Sequence, residues 1–153
     1  MKEALIFDIV RGSFVDGDGI RSVVFMKGCP LDCSWCHNPE SKSAKAELTH
    51  NTNTCIRCKY CVSVCDSNAI AFNTSFKLDT VKCSNCGVCA SHCISNSLNQ
   101  IGKNYSTEKL VDQLLKDREY YETSGGGVTF SGGEPLIHIN YLSEVFSLLK
   151  DNH

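Results

Sequence analysis

Two short runs rich in β-branched and aromatic residues open the chain, 4–10 "ALIFDIV" and 22–28 "SVVFMKG". Runs of this kind bounded by glycine predict short strands. The stretch between them, "GSFVDGDGIR", is rich in turn formers and predicts a loop. Further on the pattern becomes helical. Ser106 stands where an N-cap is needed, and Glu108 falls in the first turn, where the helix dipole favours an acid. Leu110, Val111, Leu114, Leu115 and Tyr121 then recur at helical spacing until Gly125–Gly127 stops the helix. "VTF" at 128–130 predicts a strand, "SGGEPL" a loop, and "INYLSEVFSLLKDNH" a second amphipathic helix with Tyr141, Leu142, Val145, Phe146, Leu148 and Leu149 at its apolar positions. With 51–101 set aside, the order is strand, strand, loop, helix, strand, loop, helix. Strand–helix alternation of this kind predicts a parallel α/β sheet.

Composition narrows the class. The chain has 153 residues, 42% of them hydrophobic, with a formal charge of −2. That is enough apolar material for a core, and the charge offers no footprint for nucleic acid or an anionic membrane. The N-terminus lacks the basic start and longer apolar core of a signal peptide, and no apolar run approaches the roughly 20 residues of a membrane span. The expectation is a soluble, cytoplasmic protein.

Cysteine changes the picture most. Eleven cysteines lie between positions 29 and 93. An odd count without a secretory signal argues against a disulfide scaffold and for metal. Eight fall in two similar runs, "CIRCKYCVSVC" from 55 and "CSNCGVCASHC" from 83, an internal duplication at an offset of 28. Each reads C-x2-C-x2-C-x3-C, the spacing of bacterial ferredoxins, in which the fourth cysteine serves the other cluster. Cys55, Cys58, Cys61 and Cys93 therefore form one predicted ligand set, and Cys83, Cys86, Cys89 and Cys65 the second. The competing reading is a pair of zinc ribbons, which C-x2-C pairs also build but which leaves the repeated x3 step unexplained. The proline that usually follows the last cysteine is absent, with Asp66 and Ile94 in its place. His92, next to Cys93, is expected to be a neighbour and not a ligand.

Cys29, Cys33 and Cys36, in "GCPLDCSWCHNPE", remain. Four ligands would be needed to close such a site, and no twelfth cysteine exists. Either a donor such as His37 or His50 completes it, or one metal position is left open. Adjacency to Cys36 makes His37 sterically poor, so the simpler reading is a 4Fe–4S cluster with one iron not ligated by protein. An open position is where metal chemistry occurs.

The C-x3-C-x2-C loop with Trp35 before its last cysteine resembles the radical S-adenosylmethionine (SAM) superfamily. "DGDGIRSVVFMKGCPLDCSWCHNPE" and "SGGGVTFSGGEPL" together resemble the activating enzymes of glycyl radical enzymes, in the subgroup that carries a two-cluster insert; the pyruvate formate-lyase activase is the simplest relative and lacks it. The resemblance implies an α/β fold, the N-terminal part of a partial (β/α) barrel, with an inserted ferredoxin-like domain holding two 4Fe–4S clusters. It divides the chain into core strands and SAM-cluster loop (1–50), insert (51–101) and continued core (102–153). It implies three clusters in all, with Cys29, Cys33 and Cys36 holding the one that binds SAM. Trp35, Cys36 and His37 would lie against SAM's adenine, and Gly132, Gly133 and Glu134 at its methionine end, where glycines admit close backbone approach and a carboxylate accepts from the ammonium. Asp16, in the "VDG" loop, is a candidate contact for the substrate peptide; the family usually reads D-G-P-G there, whereas this chain has Asp18 at the proline position.

The activity implied is that of an oxidoreductase of anaerobic chemistry. Reductive cleavage of SAM gives a 5′-deoxyadenosyl radical, which takes hydrogen from a glycine of a partner glycyl radical enzyme. A flavodoxin or ferredoxin would be the reductant. Two alternatives stand beside it: a ferredoxin-type electron-transfer protein, and a non-catalytic truncated radical SAM fragment. A full barrel needs about 250 residues, whereas 102 lie outside 51–101. The expectation is an N-terminal fragment with an incomplete sheet and an exposed apolar edge.

Overall fold

The computed structural model describes residues 2–152. In chain order the strands and helices are β1 (Glu3–Ser13), β2 (Arg21–Met26), β3 (Glu47–His50), α1 (Tyr60–Ser63), β4 (Ile70–Phe72), β5 (Phe76–Leu78), α2 (Val88–Ser91), β6 (Leu98–Ile101), β7 (Lys103–Ser106), α3 (Thr107–Leu114), α4 (Arg118–Ser124), β8 (Gly127–Gly132) and α5 (Ile139–Asp151). Short 3-10 turns occupy Pro39–Ser41, Leu115–Asp117 and Pro135–His138. The chain divides into two compact units, 1–45 with 102–153, and 46–101.

The first unit is a four-stranded sheet in the order β7-β1-β2-β8. It is mixed and not parallel throughout. β1 runs antiparallel to β2 and to β7, and only β2 and β8 are parallel. The reason is connection length. Parallel neighbours need a crossover of a dozen or more residues, and only Phe14–Ile20 separates β1 from β2. The β2–β8 connection is long enough. β7 carries no apolar run, so it was invisible to patterning; its order comes from pairing with Glu3–Ile6.

Ala4, Ile6, Val24 and Met26 of the sheet pack on Leu110, Val111 and Leu114 of α3 and on Tyr141, Leu142 and Val145 of α5. Burying one side chain of this size is worth about 1.5–3 kcal/mol relative to leaving it in water. Ser106 caps α3 by accepting from the Lys109 N–H at 3.2 Å. The helix expected through Tyr121 is interrupted at Leu115–Asp117. There Asp117, 5% exposed, accepts from the Arg11 guanidinium and from Ser22 Oγ at 2.8 Å. Gly125, at φ 68°, ends α4 in the left-handed conformation that glycine adopts without strain. β8 lies at the sheet edge with all six residues half-buried.

The second unit holds the duplication in its backbone. β3 pairs with β6 and β4 with β5, both antiparallel, so the outer strands of the repeat meet each other and the inner strands meet each other. Left-handed residues recur at the same offset of 28: Arg57 and Asn85, Lys59 and Gly87, Asn68 and Asn96. The one-turn helices α1 and α2 follow the same spacing. Ile70, Cys89 and Leu98 form a small core of their own.

Candidate metal and cofactor sites

The repeated cysteine loops bend twice through positive φ, at Arg57 and Lys59 in the first and at Asn85 and Gly87 in the second. Each loop then enters its short helix, which carries the third cysteine inward. The fourth cysteine follows the helix and turns back. The result is two concavities, each lined by four cysteines. One is lined by Cys55, Cys58, Cys61 and Cys93 together with His50, Phe72 and Leu98. The other is lined by Cys65, Cys83, Cys86 and Cys89 with Val64, Ile70 and Gln100. Three cysteines of each set come from one half of the repeat and the fourth from the other half.

The crossing cysteines share a polar environment. Cys65 Sγ lies 3.5 Å from Ser67 Oγ and accepts from the Ala69 N–H at 3.3 Å. Cys93 Sγ lies 3.2 Å from Ser97 Oγ and 3.7 Å from Ser95 Oγ. The Ser67 hydroxyl, with help from the Ala69 N–H, lowers the Cys65 thiol. At Cys93 burial pushes the thiol up, but Ser97, Ser95 and the Leu98 N–H outweigh it and bring it down to about 7. Cys61 and Cys89, on the helices, are pushed up by burial. Thiolate is the ligand form, so the hydroxyls favour the species that iron binds. Ser67 and Ser95 carry a signal in the sequence, the "C-x-S-N" that repeats at Cys65 and Cys93, whereas Ser97 has Ala69 as its counterpart and carries none.

His50 also lines the first concavity. Its ring stacks on Phe76 at 4.1 Å and meets Phe72 edge-on at 6.3 Å. Its Nε2 is buried without a hydrogen-bond partner among the described residues. Leaving such a group unsatisfied costs about 1–3 kcal/mol. His92 lines the same concavity, with its Nδ1 engaged 2.9 Å from the Val88 carbonyl oxygen.

In the first unit Cys29, Cys33 and Cys36 follow directly from β2. Cys33 and Trp35 are exposed, Trp35 to 77%, while Cys29 and Cys36 are half-buried. The loop is tethered at its start, where Gly28 N–H donates to Ser41 O at 2.7 Å and Cys29 N–H to Lys42 O at 3.2 Å. Asp32 pairs with Lys42 within it, which holds the Asp32 carboxyl below its usual range. The "GGE" segment ends β8 and is joined to the same strand end. Gly133 N–H donates to Met26 O at 2.8 Å and Glu134 N–H to Gly28 O at 2.9 Å. A Cβ on Gly132 would fall 2.6 Å from Met26 N, and one on Gly133 would overlap the Gly28 carbonyl oxygen. Both glycines are thus demanded first by the protein's own backbone. Glu134 Oε1 accepts from Leu136 N at 2.9 Å.

Asp16 sits on the exposed loop between β1 and β2. Its carboxylate accepts from Ser13 Oγ, and its carbonyl oxygen accepts from Thr129 Oγ1 at 2.9 Å. Arg21 Nη1 donates to Asp18 O at 3.2 Å. Side chains from β2 and β8 therefore tether the loop at positions flanking Gly17.

Among the described residues no three His, Cys, Asp or Glu side chains are grouped to hold one metal ion. A 4Fe–4S cube spreads its thiolates over separate irons, and sets of four cysteines around a concavity fit that requirement. Also among the described residues, no helix is long and apolar enough to cross a membrane.

The profile of a family described as "4Fe-4S single cluster domain" matches residues 15–153. The chain is 44% identical over 148 residues to the trans-4-hydroxy-L-proline dehydratase activating enzyme of Clostridioides difficile, covering 95% of this chain and 49% of that protein. It is 42% identical over 155 residues to the benzylsuccinate synthase activating enzyme of Thauera aromatica, with 97% and 47% covered. It is 40% identical over 160 residues to the 4-hydroxyphenylacetate decarboxylase activating enzyme of Clostridium scatologenes, with 99% and 51% covered. The chain spans about half the length of the curated relatives it matches. By the profile match and these relatives, it belongs to the radical SAM family of glycyl-radical enzyme activating enzymes.

Proposed function

We propose that this chain is the cluster-bearing part of an activase that takes a hydrogen atom from a backbone glycine of a partner glycyl radical enzyme. The observation that carries the reading is the hydrogen-bonded seam from Gly133 and Glu134 to Met26 and Gly28. It joins the "GGE" segment to the strand end from which the three-cysteine loop departs. Cys29, Cys33 and Cys36 would hold three irons of a 4Fe–4S cluster, and the amino and carboxylate groups of SAM would take the fourth. The chemistry that cluster and SAM would supply, given one electron, is a 5′-deoxyadenosyl radical with methionine as the other product.

The chain's own residues bind and orient. Trp35 and His37, both exposed, are available to the adenine with the Cys36 backbone. Gly132 and Gly133 hold the loop close to the cysteines, and Glu134 accepts from the ammonium of SAM. Asp16 contacts the substrate peptide from its tethered loop. Residues 51–101, with 46–50 of the same compact unit, form a ferredoxin-like insert between the core segments that precede and follow them. Cys55, Cys58, Cys61 and Cys93 would hold one of its two clusters and Cys83, Cys86, Cys89 and Cys65 the other, and the chemistry these would supply is electron relay from a reduced flavodoxin or ferredoxin. The relatives serve different glycyl radical enzymes, so the partner is proposed by class and not by name.

Iron and sulfide analysis after anaerobic reconstitution tests the cluster count. Three cubes give about 12 irons per chain, and Cys33→Ala brings that to about eight. About eight irons in both proteins would support a ferredoxin-type carrier instead.

A further inference from the structure

The two cysteine-lined concavities are related by the offset of 28, and their linings differ at polar positions that include His50, His92 against Val64, and Gln100 against Phe72. His92 Nδ1 faces the Val88 carbonyl oxygen and Gln100 Nε2 donates to the Asn85 carbonyl oxygen, which leaves His50 as the lining residue with a buried unpartnered nitrogen among the described residues. His50, the last residue of β3, lines the concavity of Cys55, Cys58, Cys61 and Cys93. The position 28 residues on is Leu78. No histidine lines the concavity of Cys65, Cys83, Cys86 and Cys89.

The His50 ring is held in place by Phe76 on its face and Phe72 at its edge. Its buried Nε2 finds no protein partner among the described residues. Buried ring nitrogens are rarely left unpaired, and each such case calls for a partner; an Nε2 that carries the ring proton needs an acceptor. In an otherwise largely apolar wall, the acceptor at hand is sulfur: a cysteine thiolate or a cluster sulfide.

We propose that His50 donates an Nε2–H hydrogen bond to a sulfur of the cluster held by Cys55, Cys58, Cys61 and Cys93, and that this raises the potential of that cluster above that of its twin. Reduction adds negative charge to the cluster, and a donor aimed at its sulfurs stabilises the more negative state. In a chain carrying one electron on the pair, the electron then rests on the His50 side. The inference rests on the cluster reading given above and adds an inequality between two sites whose ligand spacing is identical.

The test is an anaerobic redox titration followed by electron paramagnetic resonance. It uses the 153-residue chain in a Cys33→Ala background, so that only the repeated segment contributes. His50→Phe removes the donor and keeps a flat ring, whereas His50→Gln keeps an N–H. The expected result is unchanged iron in both variants. In His50→Phe one component alone becomes harder to reduce, by about tenfold in its reduced-to-oxidised ratio at fixed ambient potential, which is about 59 mV for one electron. That component is the one abolished by Cys93→Ala, and His50→Gln lies closer to the unsubstituted chain. Equal potentials in His50→Phe and the parent, equal shifts in both components, equal shifts in Phe and Gln variants, or loss of about four irons with His50→Phe would each overturn the proposal. Absence of both components from the parent would overturn the cluster assignment itself, and the role of His50 with it.

Discussion

The backbone N–H of Glu134 donates to the carbonyl oxygen of Gly28 at 2.9 Å. One residue carries the carboxylate proposed for SAM, and the other immediately precedes Cys29. This contact sets the spacing between the two halves of the proposed SAM site.

Substituting Gly133 by Ala should break that spacing. The added methyl overlaps the Gly28 carbonyl oxygen, which is backbone and cannot turn away. Gly132→Ala adds a left-handed φ of 92° to a contact of 2.6 Å with Met26 N. Strain at one such position costs about 1–3 kcal/mol, and each variant should lose roughly that much in denaturant unfolding. Full stability in Gly133→Ala would show that the seam is looser than described.

The crossed ligand sets make a prediction about pairs of substitutions. Cys55→Ala and Cys93→Ala strike the same concavity, so their combination should cost about four irons, no more than either alone. Cys83→Ala with Cys93→Ala strikes both and should cost about eight. Uncrossed sets would reverse the two results.

Lys59 has a φ of 60° at the place where the second repeat has Gly87 at 76°. A non-glycine residue in the left-handed region costs about 1–2 kcal/mol, and glycine's greater freedom when unfolded returns part of that. Lys59→Gly should therefore stabilise the reconstituted chain by about 0.5–1 kcal/mol, read as a higher denaturant midpoint. A lower midpoint would assign Lys59 a role beyond its backbone.

Asp117 titrates below the ordinary carboxylate range, because Arg11 and Ser22 hydrogen-bond its ionised form against the cost of burial. A depressed folded pKa means stability that is complete above the unfolded value, near 3.9, and is lost as pH falls through the folded value. Acid unfolding of the parent should thus carry a contribution below about pH 4 that Asp117→Asn lacks. Asp117→Asn should also be less stable at pH 7, by about 1–3 kcal/mol for the loss of a charged hydrogen-bond acceptor. Parallel pH profiles for the two proteins would remove this role.

Much of this was legible in local pattern. β1, β2, β8, α3, α4 and α5 announce themselves through apolar pattern, and the two groups of four cysteines through spacing and repetition; the one-turn helices α1 and α2 do not. The strand pairing does not, because β7 is ordered by β1 and not by its own residues. The break at Leu115–Asp117 was also silent, since it coincides with a contact to Arg11 from across the sheet. The sequence presents Gly132 and Gly133 as room for a ligand, whereas the nearest atoms they admit are those of Met26 and Gly28. The sequence offers His50 as a candidate ligand for the three-cysteine site; its stacking on Phe76 and place beside Cys55 and Cys93 follow from the fold of the repeat.

The central claim is that Cys29, Cys33 and Cys36 hold a cluster with one iron open to SAM. Electron paramagnetic resonance of the reduced, reconstituted chain with and without SAM tests it most directly. The expected result is that SAM alters one signal, the one missing from Cys33→Ala, and leaves the others unchanged. Identical spectra at saturating SAM would contradict it.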